Sequence, residues 1–212
     1  MSELDLREGW VDPDLAAEFP ELGLTYVSLE ARPGASPRPV KQRLRALADR
    51  YTGGKVVHMR QDPVPWAYRV FSRQVGIDPD VDRTPVERVA LERLKHGGFA
   101  SQNIVDDALT IAIAETGVPL IALDGELVGS SLGLRLATVD ERVGERPLAA
   151  GQLVVADEKR ALAVLLGEVS QDAGVTKETE RMVLAALAVK GVPRISIEEA
   201  VLSAAETLLE DG

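Results

Sequence analysis

The sequence contains no cysteine, and that absence removes several classes of chemistry at once. It excludes disulfide bonds, zinc sites built from thiolates and cysteine nucleophiles, and it fits a reducing compartment, so we expect a cytoplasmic location. No apolar run approaches the roughly 20 residues that a helix needs to span a bilayer. The acidic start of the chain lacks the basic and apolar segments of a signal peptide. We therefore expect no membrane partner.

Common catalytic motifs are missing as well. There is no metal-ligand spacing, no glycine-rich phosphate loop and no Gly-x-Ser-x-Gly elbow, so the sequence predicts neither a metal nor a cofactor. For His58 and His96 we favour structural or surface roles. Asp106 and Asp107 are adjacent, and neighbouring helical residues point about 100° apart, so they cannot form a facing acid–base pair. We expect Asp106 and Asn103 to be caps or buried hydrogen-bond partners.

The chain has 212 residues, 45% of them hydrophobic, and a net charge of -10. These values predict one soluble globular domain over residues 1–212, with residues 1–22 as an N-terminal extension. The charge is uneven, because residues 32–102 carry 14 bases and seven acids. Four of these bases follow one another along a predicted helix and are candidates for binding nucleic acid: Arg38, Lys41, Arg43 and Arg45. The alternative is that they only solvate the outer face of that helix.

Hydrophobic periodicity predicts a mixture of helices and strands, an α+β fold. Helices are predicted over residues 40–51, 64–75, 85–95, 103–115, 177–189 and 197–209. Strands are predicted over residues 24–31, 56–59, 120–123, 132–137, 153–156 and 161–166. Thr84, Pro85 and Glu87 form a helix-start pattern, and Ser196 with Glu199 forms a second capping signal.

Five short motifs occur in a fixed order. They are Asn-Ile-Val-Asp at 103–106, Gly-Val-Pro-Leu at 117–120 with Asp124, Leu-Val-Val-Ala-Asp at 153–157, Ala-Leu-Ala at 161–163 with Gly167, and Val-Thr-Lys-Glu-Thr at 175–179. In this order and spacing the chain resembles the B3/B4 domain, the tRNA-binding and editing domain of the phenylalanyl-tRNA synthetase beta chain. It resembles a free-standing member of that family, and the matching features run from about residue 26 to the end.

The resemblance implies a three-layer fold, a β-sandwich of unusual topology flanked by helices. It also implies a pocket that accepts a wrong amino acid still attached to tRNA and hydrolyses the ester. By position, Glu178 would be the catalytic carboxylate. The substrate pocket would contain Asn103, Leu109, Thr110, Ile121 and Thr179.

Two positions depart from the editing members. A histidine that follows the Gly-x-Pro-Leu turn is replaced by Ile121, which can neither donate nor accept a proton. An asparagine after the Val-Asp pair is replaced by Leu109, although Thr110 could take its place. Three functions follow as alternatives: a module that binds tRNA or aminoacyl-tRNA with weak or no catalysis, a sensor or interaction protein that binds a free amino acid, and a trans-editing aminoacyl-tRNA deacylase. The oligomeric state stays open.

Overall fold

The computed structural model describes residues 4–210, which contain seven α-helices, one 3-10 helix at Met59–Gln61 and ten β-strands joined by loops. The helices are α1 (Pro13–Glu18), α2 (Arg38–Arg50), α3 (Gly53–His58), α4 (Pro63–Gln74), α5 (Pro85–His96), α6 (Ile104–Thr116) and α7 (Arg194–Leu208). The strands are β1 (Arg7–Glu8), β2 (Trp10–Val11), β3 (Gly23–Glu30), β4 (Leu120–Asp124), β5 (Gly133–Leu136), β6 (Arg142–Val143), β7 (Arg146–Pro147), β8 (Leu153–Ala156), β9 (Ala161–Val164) and β10 (Arg181–Ala188). The predicted α+β class is confirmed.

The strands form two four-stranded sheets and one short hairpin. The first sheet has the order β1-β3-β10-β4, the second has the order β2-β5-β8-β9, and β6 pairs with β7. Leu24 and Leu187 of the first sheet and Val155 of the second line the same cavity, so the sheets face each other. Helix α7 packs on the opposite face of the first sheet, against β10 and β3.

Strand β10 lies where the sequence predicts a helix over residues 177–189, and that prediction is wrong. The segment is rich in alanine and leucine, which favour helices locally. It nevertheless pairs with β3 over eight residues and with β4 over five. Both of its faces are covered, so residues 182–187 are all buried. A strand buried on both faces has a continuous apolar sequence without alternation, and its pattern can be mistaken for that of a buried helix.

A second correction concerns the stretch after α2. The preceding helix stops at Arg50, and Gly53 and Gly54 begin α3. The Thr52 side chain caps α3 by accepting a hydrogen bond from the Lys55 N–H at 3.3 Å. The strand predicted over residues 56–59 is therefore wrong, and His58 is helical. The β-branched pair at 56–57 suggested a strand, but a local cap decides the structure.

Helices α5 and α6 pack against each other, and their ends agree with the predicted ones to within one residue. Thr84 and Glu87 make the predicted capping box before α5, and Gly97 ends this helix in the left-handed conformation, with φ of 70°. Asn103 caps α6, and Gly117 ends it with φ of 76°. Among residues 4–210, no helix is long and apolar enough to cross a membrane.

Candidate ligand-binding cleft

A cleft of about 740 Å³ opens beside β4, and five separate parts of the chain line it. They are the loop at residues 33–35, the start of α6 with the residue before its cap, the first half of β4, the turn at residues 167–169 and the loop at residues 174–177. Among the lining residues, Asp106 and Lys177 are the charged ones. The cleft is therefore mainly apolar, with a few polar groups, as is usual for small-molecule sites.

Strand β4 is the edge strand of the first sheet, and its free edge faces this cleft. Gly125 donates its N–H to the Arg181 carbonyl at 2.8 Å. In an antiparallel ladder, residues whose backbone groups bond to the neighbouring strand alternate with residues whose N–H and C=O groups point away from it. From the register of β4 on β10, Leu120 and Ala122 therefore direct their N–H and C=O groups away from β10.

The outward groups of β4 are only partly satisfied by the chain. Asp124 lies two residues after Ala122, so its backbone groups point to the same side. Its N–H donates to the Ala173 carbonyl at 2.9 Å. No other described residue hydrogen-bonds to the outward backbone groups of Leu120 and Ala122. Both residues are nonetheless buried, at 6% and 8% exposure. Buried backbone groups normally find a partner, so this edge is suited to bind water or a polar ligand.

Asn103 and Asp106 form the polar corner of the cleft. The Asn103 Oδ1 accepts from the N–H groups of Val105 and Asp106, both at 3.0 Å, and its Nδ2 donates to the Asp106 carboxylate at 2.6 Å. The predicted role of Asn103 as a cap is confirmed. Asp106 lies exposed beside it in the first turn of α6, where the helix dipole stabilises negative charge.

Of the adjacent Asp106 and Asp107, the carboxylate of Asp107 is the buried one, although the sequence pointed to Asp106. Its Oδ2 accepts from the hydroxyls of Ser36 at 2.5 Å and Ser101 at 2.6 Å, and its Oδ1 accepts from the N–H of Gln102 at 3.0 Å. Three donors satisfy the buried charge. Because they come from two loops, Asp107 fixes one wall of the cleft. The sequence signal was the Asp-Asp pair itself, which does not show which member faces inward.

Thr179 is buried below the cleft and does not line it. Its hydroxyl donates to the Asp124 Oδ2 at 2.5 Å and accepts from the N–H of Thr176 at 3.0 Å. Asp124 also accepts from the N–H of Glu126 at 2.9 Å, so its side chain caps the turn after β4. This arrangement holds the loop that contains Thr176 and Lys177 against the end of β4.

Leu109 and Ile121 do line the cleft, and they make its floor apolar. Ile121 also lines a second pocket of about 180 Å³ between the two sheets, together with Val89 of α5 and Leu187 of β10. Thr110 is half-buried but lines neither of these two cavities. The structure thus brings Asn103, Leu109 and Ile121 to one place and leaves Thr110 outside it.

Glu178 lies next to the cleft, but its carboxylate points elsewhere. Its side chain is 69% exposed and lies 3.6 Å from the ammonium group of Lys177. Its N–H donates to the Thr176 hydroxyl at 3.3 Å. Thr176 and Lys177 are lining residues, whereas Glu178 is not among them. A catalytic role for Glu178 stays a prediction and requires its side chain to turn inward.

The four basic candidates on α2 divide into two groups. Arg38, Lys41 and Arg45 are exposed. Arg43 binds the Glu115 carboxylate at 2.5 Å and donates to the hydroxyls of Ser203 at 3.0 Å and Thr207 at 3.1 Å. It therefore joins α2 to α6 and α7. Since residues 33–35 line the cleft and α2 begins at Arg38, the exposed basic residues extend away from the rim of the cleft.

Comparison with known proteins finds phenylalanine–tRNA ligase beta subunits from several organisms. The chain is 30% identical to the phenylalanine–tRNA ligase beta subunit of Colwellia psychrerythraea over 188 residues, which is 85% of this chain and 23% of that protein. It is 33% identical over 98 residues to the beta subunits of Photorhabdus laumondii and of Vibrio vulnificus, which is 44% of this chain and 12% of each relative. The chain thus spans about a quarter of these relatives' length or less. No family model matches it.

Proposed function

Because most of the chain is similar to part of the phenylalanine–tRNA ligase beta subunit, we propose that this protein binds tRNA or aminoacyl-tRNA and hydrolyses it weakly or not at all. The proposal concerns a free-standing domain of the B3/B4 type, acting in the cytoplasm. The observation that carries it is the cleft beside β4, where Asn103 and Leu109 of the α6 segment meet Ile121 of β4.

The backbone edge of β4 supports an aminoacyl ligand. Leu120 and Ala122 offer N–H donors and C=O acceptors, which match the amino and carbonyl groups that every amino acid carries. The apolar floor at Leu109 and Ile121 suits an apolar or aromatic side chain. Arg38, Lys41 and Arg45 supply cations near the rim for the phosphate backbone.

Weak hydrolysis follows from the groups that are near the cleft. Ester hydrolysis needs a group that takes a proton from water, held within hydrogen-bond reach of it. Ile121 cannot do so, and the Glu178 carboxylate faces solvent. Asp106 and Lys177 remain, and Asp106 is already engaged by Asn103.

The first test is an electrophoretic shift with total tRNA at two salt concentrations. We expect a complex at low salt that weakens as salt rises, because bound phosphates release counterions. Replacing Arg38, Lys41 and Arg45 together by glutamine should weaken the complex about tenfold or more. The matched control replaces three exposed bases that lie elsewhere, Arg142, Lys159 and Lys190. Absence of a complex at low salt would refute the proposal.

The second readout is hydrolysis of mischarged tRNA. We expect the wild-type protein and Glu178→Ala to release the amino acid at the same rate as buffer alone. Rapid release by the wild-type protein that is lost in Glu178→Ala would instead identify a trans-editing deacylase.

A second candidate function is the binding of a free amino acid. It is favoured by the apolar pocket of about 180 Å³ that adjoins the cleft at Ile121. A ligand that binds the folded state raises the melting temperature, so a thermal-shift screen of amino acids would detect it. Stabilisation by one amino acid without any tRNA complex would favour this function over the first.

A further inference from the structure

A cavity of about 410 Å³ on the far side of the apolar pocket contains three arginines, Arg83, Arg88 and Arg146. They come from two regions of the chain: Arg83 and Arg88 flank the start of α5, and Arg146 lies in β7. No carboxylate of the described residues lies within 4.0 Å of their guanidinium nitrogens. Most other arginines of the structure do have such a partner.

Two acids line the same cavity, Asp82 and Glu168, and both are exposed. The lining charge is therefore positive by one unit in a protein whose net charge is -10. Partial burial lowers the pKa of Arg88, and the fields of Asp82 and Glu168 only partly offset that effect. Arg88 remains partly exposed, and a guanidinium without a bound carboxylate has unused capacity to bind an anion.

Arg88 is held in place by backbone carbonyls. Its Nη1 donates to the Arg83 carbonyl and its Nη2 donates to the Leu166 carbonyl, both at 2.9 Å. Leu166 has a φ of 56°, which is rare for a residue that carries a Cβ. Backbone strain of this kind is concentrated at ligand and active sites. The arginine and the strained turn thus fix each other's position.

The arginine cavity adjoins the apolar pocket and the cleft. Gly167, which follows the strained Leu166, lines the cleft, the apolar pocket and the arginine cavity. Arg88 itself lines both the apolar pocket and the arginine cavity. A ligand whose organic part enters the apolar pocket can therefore place a negative group between the arginines.

We propose that Arg83, Arg88 and Arg146 form a phosphate-binding site. Guanidinium groups bind phosphate with two parallel hydrogen bonds, and three of them can surround one tetrahedral anion. The identity of the ligand rests on the proposed function: the phosphate is a backbone phosphate of an RNA whose aminoacylated end reaches the cleft. The same chemistry would also accept free inorganic phosphate, so both sources are compared in the test.

The test measures binding of inorganic phosphate and of a single-stranded RNA oligonucleotide by calorimetry, for the full chain and for Arg146→Gln. Arg146 is exposed on a short hairpin, so the substitution leaves the core intact. Arg142→Gln is the matched control, because Arg142 lies in the same hairpin and does not line the cavity. We expect Arg146→Gln to weaken binding of the RNA about tenfold and to lower the salt dependence by about one phosphate contact. Arg142→Gln should change the affinity by less than about twofold.

The outcomes separate this site from the proposed function. Equal binding by Arg146→Gln and Arg142→Gln for both ligands overturns the site, even if tRNA still binds elsewhere. Binding of inorganic phosphate that depends on Arg146, without any RNA complex, supports the site and refutes the proposed function. Arg83→Gln should repeat the loss seen with Arg146→Gln.

Discussion

At the scale of single residues, Asp107 shows how one buried group can shape the cleft. Its carboxylate accepts hydrogen bonds from Ser36 and Ser101, which lie in two separate loops. The Ile104 N–H adds a bond to the Gly34 carbonyl at 2.9 Å in the same place. The wall of the cleft thus depends on a carboxylate that no ligand needs to touch.

We predict that Asp107→Asn lowers the free energy of unfolding by about 2 kcal/mol. An amide offers one acceptor atom where the carboxylate offers two, so a buried donor loses its partner. Chemical denaturation followed by circular dichroism measures the change. The control is Asp106→Asn, one residue earlier and exposed, which should cost about 0.5 kcal/mol. Equal losses in the two variants would contradict the role of Asp107.

At the scale of elements, α5 begins with the capping box that its sequence predicts. The N–H and hydroxyl of Thr84 both donate to the Glu87 carboxylate, at 3.1 and 2.9 Å. The same carboxylate binds Arg69 at 2.7 Å and Arg60 at 2.8 Å, and it is only 3% exposed. The start of α5 is therefore linked to α4, and Arg83 and Arg88 are placed by this start.

Thr84→Ala should lower the free energy of unfolding by about 1 kcal/mol, because the hydroxyl contact at the helix start is lost. Ser196→Ala is the control. Ser196 was the predicted cap of α7, but this helix already begins at Arg194 after Pro193, and the predicted capping box with Glu199 does not form. Its substitution should change the stability by less than about 0.5 kcal/mol. Thermal and urea unfolding of both variants check the difference.

Local signals explain which elements could be predicted from the sequence. The ends of α5 and α6 are fixed by Thr84, Gly97, Asn103 and Gly117, each of which acts within one turn of the helix. Strand β10 could not be predicted in this way, because its conformation depends on β3, β4 and α7, which are remote in sequence. The preference of its alanines and leucines for helix is overridden by burial on both faces.

The candidate site likewise contains a part that could be predicted from the sequence and a part that could not. The resemblance to the synthetase domain predicts that Asn103, Leu109 and Ile121 share a pocket, and all three line one cleft of the structure. Whether they contact a ligand stays a prediction. The approach of Arg146 to Arg88 could not be foreseen, because it depends on how a short hairpin packs beside α5.

At the scale of the whole molecule, the first strands join the two sheets. Strand β1 extends the first sheet beside β3, and β2 extends the second beside β5. Between them, the Gly9 N–H donates to the Leu24 carbonyl at 2.6 Å. A segment of five residues, which the sequence predicts within an N-terminal extension, thus contributes to both sheets. The single-domain prediction for residues 1–212 stays a prediction.

Gly133→Ala should disrupt this connection. A Cβ at residue 133 would lie 2.1 Å from the Trp10 ring and 2.4 Å from the Trp10 carbonyl oxygen, so β2 would have to move. We expect a loss of about 1–3 kcal/mol in the free energy of unfolding. Gly98→Ala is the control, because a Cβ there meets no atom within 4 Å. A melting temperature equal to that of the control would contradict the tight approach of the two strands.

The central place of β10 also determines when the first sheet can form during synthesis. Glu30 of β3 pairs with Arg181, so β3 and β4 wait for a strand that leaves the ribosome long after β3 does. Until then, the edges of both strands are open to pairing with other chains. Such a topology has a high contact order, and slow closure of the sheet is the expected result. Nascent chains that stop before residue 181 are therefore the species most exposed to aggregation and to chaperones.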